Sequence, residues 1–296
     1  METLESLQRK ISSAAELKSV VKTMKAMAAS SISQYEMAVS SLSVYFANVE
    51  QAILAYLCHY DLTASPKENQ KRKPDVSIII ALGSDQGLVG RFNEIIAEQI
   101  MLQLSTTPSS TVTEVWTVGD RLNDLFAESS WKAVRNFHVP GSVQSITGLI
   151  AELLHEIHNK EAESELADVQ LWHNRPKPGS GYEQVHQHIL PLNLEWMDQW
   201  KNKPWSSRQI PQVIGDDRHL LERIIREYIF VSLYRACAES LASENASRLE
   251  AMQRADRDID NILTELNSAF HRLRQNTIDE ELFDLIAGFE ALRKEH

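Results

Sequence analysis

The segment Gly83-Ser84-Asp85-Gln86-Gly87-Leu88-Val89-Gly90 is the first place to look for chemistry, because it follows a short apolar run, where phosphate-cradling loops form. Its glycines are spaced G-x3-G-x2-G, not G-x-G-x-x-G, and no Gly-Lys-Ser/Thr follows. A tight structural turn therefore accounts for it better than a nucleotide site. His155 and His158 lie one helical turn apart, but Glu156 is not placed to complete H-E-x-x-H and no cysteines cluster nearby. They read as partly exposed helix histidines. His186 and His188 alternate as two residues on one strand face do, and no serine occupies a G-x-S-x-G elbow. Asp256, Asp258 and Asp260 read as a solvated helix face. The chain is thus expected to have no catalytic residues, no metal ligands and no cofactor of its own.

Composition narrows the classes further. The chain has 296 residues, 43% hydrophobic and 24% charged, which is ordinary for a folded soluble protein. Its longest apolar run, Val76 to Leu82, falls far short of the ~20 residues that a membrane helix needs. Met1-Glu2 begins no secretory signal, since a basic start and an apolar stretch are both missing. Two cysteines, Cys58 and Cys237, offer neither metal spacing nor a disulfide framework, as suits a reducing cytosol. A net charge of −11 argues against nucleic acid as the main partner. The charge is uneven, however: Arg9, Lys10, Lys18, Lys22 and Lys25 face only Glu16, forming a local basic collar.

The elements that would carry these residues are announced by proline and glycine. All nine prolines lie between Pro66 and Pro211, and every glycine but Gly288 lies between Gly83 and Gly215. Both residue types disfavour helix interiors, so two long unpunctuated arms read as very long helices around a globular insert. In the first arm Val21, Ala28, Tyr35, Leu42, Val49 and Tyr56 recur at heptad spacing, with Met24, Ser31, Ala38, Tyr45 and Ala52 beside them. Leu4, Leu7, Ile11 and Ala14 follow the same rule in another phase, which predicts a slip near Ala15–Leu17. In the second arm Ile224, Val231, Ala238, Asn245, Met252, Ile259, Leu266 and Leu273 hold one position. Leu221, Tyr228, Arg235, Ala242, Leu249, Asp256, Leu263 and Phe270 hold its neighbour. At about 1.5 Å per residue the arms would span roughly 85 and 110 Å. If both meet the insert on one side, they pair antiparallel.

Between the arms, Val76–Leu82, Thr111–Val118, Trp131–Val139, Leu166–Trp172 and Val185–Leu192 read as strands. Residues 91–104, Asp120–Glu128 and Gln144–Lys160 read as helices between them. This alternation predicts a small α/β layer domain with a mainly parallel sheet. The expected fold class is mixed α+β and α/β: a long antiparallel coiled coil with an inserted small, Rossmann-like domain. The expected divisions are a first helix over 1–62, a globular domain over 74–192, a connection over 193–215 and a last helix over 216–296. Lys67–Lys73 reads as a basic linker, and Trp196, Trp200 and Trp205 mark the connection.

Several segments together resemble the gamma subunit of F-type ATP synthases. Ser243-Glu244-Asn245-Ala246-Ser247-Arg248-Leu249-Glu250-Ala251-Met252 is similar to the family's S-E-x-A-x-R-M-x-A-M. Arg274-Gln275, Ile278, Glu281-Leu282, Gly288 and Ala291-Leu292 follow its C-terminal pattern. Arg9-Lys10-Ile11-Ser12-Ser13 and Thr23-Met24-Lys25-Ala26-Met27-Ala28 resemble its N-terminal motifs, and Ser84–Gly90 with Asn93 resembles S-D-R-G-L-C-G. Val118-Gly119-Asp120-Arg121 is a weaker echo of a family G-x-K/R site. Gln86, Val89, Arg91 and Asp279 depart from the pattern and mark a divergent or alternate branch.

The resemblance implies a central rotor shaft, which couples ion-driven rotation of a membrane ring to ATP synthesis or hydrolysis elsewhere and makes no bonds itself. It implies one copy per complex, and as partners the alpha and beta subunits of the catalytic ring, the epsilon subunit and the ion-carrying ring. It places the chain peripherally on the cytoplasmic face of a bacterial plasma membrane. The implied subunit contacts are Arg9, Lys10, Lys22, Met24, Lys25, Arg248, Gln275, Asp279, Glu281, Leu282 and Phe289. Leu282, Leu285, Ile286, Phe289 and Leu292 would form an apolar tip turning in an apolar sleeve. The alternative is a static coiled-coil adaptor or scaffold with a globular head.

Overall fold

The computed structural model describes residues 3–59, 76–106, 112–163, 167–177, 181–191, 205, 209 and 217–294. Its elements are α1 (Leu4–His59), β1 (Val76–Leu82), α2 (Phe92–Thr106), β2 (Val112–Val118), α3 (Asp120–Ala127) and β3 (Ala133–Phe137). They continue with α4 (Val143–Glu163), β4 (Ala167–Pro176), β5 (Tyr182–Leu190) and α5 (Asp217–Lys294). The chain divides into two compact units, one of residues 29–247 and one of residues 1–28 with 248–296. The expected linker at Lys67–Lys73, with Trp196 and Trp200, lies outside the described residues.

The larger unit is built on a five-stranded sheet of order β3-β2-β1-β4-β5. β1 pairs parallel with β2 (Ile79↔Val115) and with β4 (Ile79↔Gln170), and β3 pairs parallel with β2. β5 alone runs antiparallel, against β4. β1 sits at the centre with both faces covered, which is why it is continuously aliphatic. Ile78, Ile80 and Leu82 pack with Trp116 of β2 against Ile146, Ile150 and Leu153 of α4 and Leu233, Cys237 and Leu241 of α5. The alternate residues Ile79 and Ala81 pack against Ile96 and Ile100 of α2 and Leu122 and Phe126 of α3. Burial pushes the Cys237 thiol up to about 12, so this cysteine is an inert core residue.

β4 runs to Pro176, past the expected Trp172, and β5 spans Tyr182–Leu190, starting before the expected Val185 and ending before Leu192. The extension was hidden because His173 and Asn174 are polar yet buried. Asn174 is satisfied across layers: its amide donates to the Phe92 carbonyl (3.2 Å), and Ser243 Oγ donates to its carbonyl (3.1 Å).

α1 corrects the expected slip near Ala15–Leu17. Leu7 (2% exposed), Ala14, Val21, Ala28, Tyr35, Val49 and Tyr56 are buried, and Leu42 between them is half-buried, so heptad spacing runs unbroken from Leu7. The flanking position reads Leu4, Ile11, Lys18, Lys25, Ile32, Val39, Phe46 and Ile53, half-buried or buried throughout. Two lysines in that row interrupted the apolar pattern without interrupting the packing. In the larger unit, Phe46 lies 5.8 Å from the Tyr228 ring, and Val49, Ile53 and Leu54 cluster with Val231. Tyr45, expected in the seam, is exposed and donates its hydroxyl proton to Glu227 (2.7 Å).

Candidate functional site: the paired-helix surface and the loop after the first strand

The loop Gly83–Gly90 is held as a structural turn. The Ser84 N–H donates to Asn93 Oδ1 (2.9 Å), the Asn93 amide donates to Ser84 Oγ (2.9 Å), and Ser84 Oγ donates to the Gln86 carbonyl (2.9 Å). Asp85 ties the loop to its neighbours, since its two oxygens accept the N–H groups of Asp120 and Val139, each at 3.1 Å. Asp120 in turn accepts from the Asn136 amide (2.8 Å). Asp85, Asp120 and His138 bring potential metal-ligand atoms within 4.8 Å of one another. With both Asp85 oxygens taken by backbone donors, this cluster reads as a clasp. A cavity of about 410 Å³ beside the loop is lined by Arg121 but also by Glu94, Asp124 and Glu128. Three carboxylates against one guanidinium make a poor phosphate site. His155 and His158 are exposed on α4, as expected. His186 and His188 are engaged on the sheet, bonded to Gln170 (3.0 Å) and Asp168 (2.5 Å) respectively.

The implied contact residues all fall in the smaller unit. There the lysine ammonium of Lys25 donates to Asp256 Oδ2 (2.6 Å), and Lys18 donates to Asp260. The lower-numbered lysine takes the higher-numbered aspartate, so α1 and α5 run antiparallel. The Lys25 hydrogen bond, followed by the charges of Lys25, Lys18 and Lys22, holds the Asp256 carboxyl below its ordinary range. Asp256 is therefore not part of the solvated face expected of it, because Lys25 has turned inward to meet it, whereas Asp258 and Asp260 stay exposed, Asp260 with Lys18 reaching it. Arg9, Lys10 and Lys22 remain exposed, Arg9 in a pair with Glu5 of its own helix. Met24 and Arg248 are half-buried, and Gln275, Asp279, Glu281 and Leu282 are exposed. Phe289 belongs to α5, but its side chain lies outside the described residues.

Exposed apolar side chains crowd the smaller unit. Leu17, Val20 and Met27 stand out on α1, and Ile262, Ile278, Leu282, Phe283, Leu285 and Ile286 on α5. A run of this kind marks a surface that meets another surface. Val20, Ile262 and Phe283 were not singled out by sequence, and their signal was an apolar residue off the heptad phase. No described helix is long and apolar enough to cross a membrane.

Sequence also missed a buried contact between β4 and α5 in the larger unit. His173 Nε2 lies 3.0 Å from Glu239 Oε2, and Arg235 Nε donates to Glu239 Oε1 (2.8 Å). Burial alone would raise the Glu239 carboxyl, but hydrogen bonds from His173 and Arg235 outweigh it and hold it below its ordinary value. A depressed carboxyl stabilises the fold above the ordinary glutamate pKa of about 4.3 and loses that contribution as pH falls through the lower folded value. Glu239→Gln is expected to cost roughly 2 kcal/mol near neutral pH. In pH-dependent thermal melts the variant and wild-type curves should converge in acid; a constant gap down to the lowest pH would contradict this.

A family model described as ATP synthase matches residues 3–292. An ATP synthase gamma chain of Hydrogenobaculum sp. (strain Y04AAS1) is 23% identical over 273 residues, 92% of each chain. Another, from Christiangramia forsetii, is 23% identical over 295 residues, 99% of each chain. The fold is also that of a chain in the cryo-EM structure of the Euglena gracilis mitochondrial ATP synthase, OSCP/F1/c-ring. That chain superposes with TM-score 0.66 at 15% identity, over 98% of this chain and 94% of its own. Helix order, sheet and family match agree over nearly the full length, and the chain belongs to the gamma family of the ATP synthases.

Proposed function

We propose that the chain is the central rotor shaft of an F-type ATP synthase, coupling rotation of a membrane ion ring to ATP chemistry performed by other subunits. The observation that carries this reading is the smaller unit itself. Two helices clasped antiparallel by Lys25–Asp256 and Lys18–Asp260 leave a broad exposed apolar surface around a closed internal seam. A stiff, asymmetric pair of this kind can touch three equivalent sites differently and bias each in turn. Within that reading the smaller unit turns inside the alpha and beta ring. Arg9, Lys10, Lys22, Met24, Lys25, Arg248, Gln275, Asp279, Glu281, Leu282 and Phe289 supply the contacts. The α/β domain, residues 74–192, meets the epsilon subunit and the ion ring, on the cytoplasmic face of a bacterial plasma membrane, with one copy per complex. Exposed Arg9, Lys10 and Lys22 carry the collar's charge toward acidic surfaces of the beta subunits.

The register of the two ion pairs brings Ala14 toward the turn that contains Leu266. An Ala14→Cys/Leu266→Cys chain should therefore oxidise to an intramolecular disulfide and, when purified by a tag from its native host, carry alpha, beta and epsilon subunits with it. Disulfides formed only between chains, in a homodimer free of those subunits, would replace the shaft with the static adaptor.

A further inference from the structure

Asp85, Asp120 and His138 stand just past the carboxyl ends of β1, β2 and β3, three neighbouring strands in the parallel part of the sheet. That is the end of an open α/β sheet at which ligands bind. Each residue offers a ligand atom, and the three atoms lie within 4.8 Å of one another. Asp120 and His138 are exposed and Asp85 is half-buried, so solvent reaches the group. No spacing along the chain announced it, because the residues come from three different strand ends.

The clasp around Asp85 arranges this group and leaves its donor atoms available. Asp85 Oδ1 accepts the N–H of Asp120 itself, and Oδ2 accepts that of Val139, next to His138, each at 3.1 Å. One carboxylate therefore fixes the backbone that carries the other two side chains. Each of its oxygens keeps a second lone pair, since a carboxylate has about four acceptor sites. Asp120 is oriented in turn. Its Oδ1 accepts the Asn136 amide (2.8 Å), and the Asn136 carbonyl accepts from Oγ1 of the fully buried Thr117 (3.0 Å). Bonds of this kind behind the ligand atoms are what hold the geometry of a metal site. Asp120 Oδ2 and the His138 ring have no hydrogen-bond partner among the described residues.

Charge and donor type identify the ligand. Two carboxylates are held side by side, and no lysine or arginine among the described residues pairs with either. Like charges this close repel, and a cation between them removes the repulsion. The imidazole beside them departs from the all-oxygen sets that magnesium and calcium take, and it suits a borderline transition ion. Three protein ligands with water completing the set is the count at an open zinc site. With bonds of about 2.1 Å, tetrahedral ligand atoms around zinc lie about 3.4 Å apart. The exposed Asp120 and His138 side chains reach that spacing by small rotations. We propose that Asp85, Asp120 and His138 form a zinc site that fastens the loop Gly83–Gly90 to the ends of β2 and β3. The site is independent of the shaft role, which neither needs it nor fails with it.

The test is calorimetric titration of the chelator-treated full-length chain with zinc chloride, alongside thermal melts. One site per chain is expected, binding zinc at least about a hundredfold tighter than magnesium. Saturating it should raise the melting temperature by about 2–5 °C. His138→Ala removes an exposed side chain whose ring bonds to nothing else described. It should weaken the site at least about tenfold and abolish the zinc-dependent rise, with the metal-free melt unchanged. Asp120→Asn, which keeps the acceptor for Asn136 and removes the charge, should weaken zinc binding likewise, and it decides the matter should the alanine variant not fold. Replacing His155 and His158 with alanine controls for zinc held elsewhere on the surface and should change nothing. Absence of a saturable zinc site overturns the proposal and leaves a clasp of hydrogen bonds alone. So does zinc binding that survives either His138→Ala or Asp120→Asn, zinc binding lost in the His155 and His158 variant, or magnesium binding as tight as zinc.

Discussion

Replacing Gly119 with alanine is expected to destabilise the sheet-bearing unit by about 3–5 kcal/mol. Gly119 follows β2 with φ +117°, a conformation that L side chains rarely adopt. An added Cβ would lie 2.7 Å from both the nitrogen and the carbonyl oxygen of Ser84, which are backbone atoms and cannot swing away. Ser84 is itself fixed, because its N–H is bound by Asn93 and its carbonyl accepts from the Arg121 N–H (3.0 Å). Gly119 also donates to the Phe137 carbonyl (2.8 Å), and Gly83 donates to that of Val118 (2.8 Å). The methyl group therefore pries apart the carboxyl ends of three adjacent strands. Gly148 is the control: it lies within α4 with nothing within 4 Å of an added Cβ. Gly148→Ala should leave stability unchanged or raise it by about 0.5–1 kcal/mol. Urea titrations of the two variants make the comparison, and near-equal midpoints would refute it.

That junction shows where the sequence could be read and where it could not. The aliphatic run Val76–Leu82 declared a buried central strand, because a strand covered on both faces must be apolar at every position. Gly119 was legible only as the end of a strand. Its close approach to Ser84 depends on a partner far away in sequence, and local composition carries no such information. The same holds for His173, Arg235 and Glu239. Only Arg235 was placed from sequence, in a heptad row, and only the approach of β4 to α5 buries His173 and Glu239 against each other with Arg235 at their exposed side. The heptad of α1 was legible in its central column and misread near Ala15–Leu17, where a slip was expected, while Lys18 and Lys25 were read only as part of a basic collar. In fact they remain in register and meet Asp260 and Asp256. Lysine stems pack along apolar surface while the ammonium reaches out, so a lysine in a seam row is ambiguous until its partner helix is placed. The expected subunit contacts came from family resemblance, because no local pattern of residues marks an exposed helix face for a partner.

The seam of the smaller unit sets the last expectation. Met252, 2% exposed, is the most buried side chain of α5 in that unit among the described residues, and on α1 of the same unit Ala28 and Leu7 are equally buried. Met252→Asp would forfeit roughly 2–3 kcal/mol of thioether burial and place a carboxylate in the apolar seam. Lys25 cannot rescue it without abandoning Asp256, whose Oδ1 is already buried without a partner among the described residues. The total cost should be about 4–5 kcal/mol, against less than about 1.5 for the near-isosteric Met252→Leu. The smaller unit has no sheet behind it, so the two helices should part there while the larger unit stays folded. Hydrogen exchange is then expected to lose protection over residues 3–28 and 248–287 but not over β1, β2 and β4. A loss spread evenly through both units would show that they do not open separately. If the smaller unit transmits torque, ATP-driven ion pumping by the assembled complex should fail in Met252→Asp and persist in Met252→Leu. Pumping that survives an opened seam would remove stiffness of the helix pair from the mechanism, since two separated helices cannot carry a twist from one end to the other.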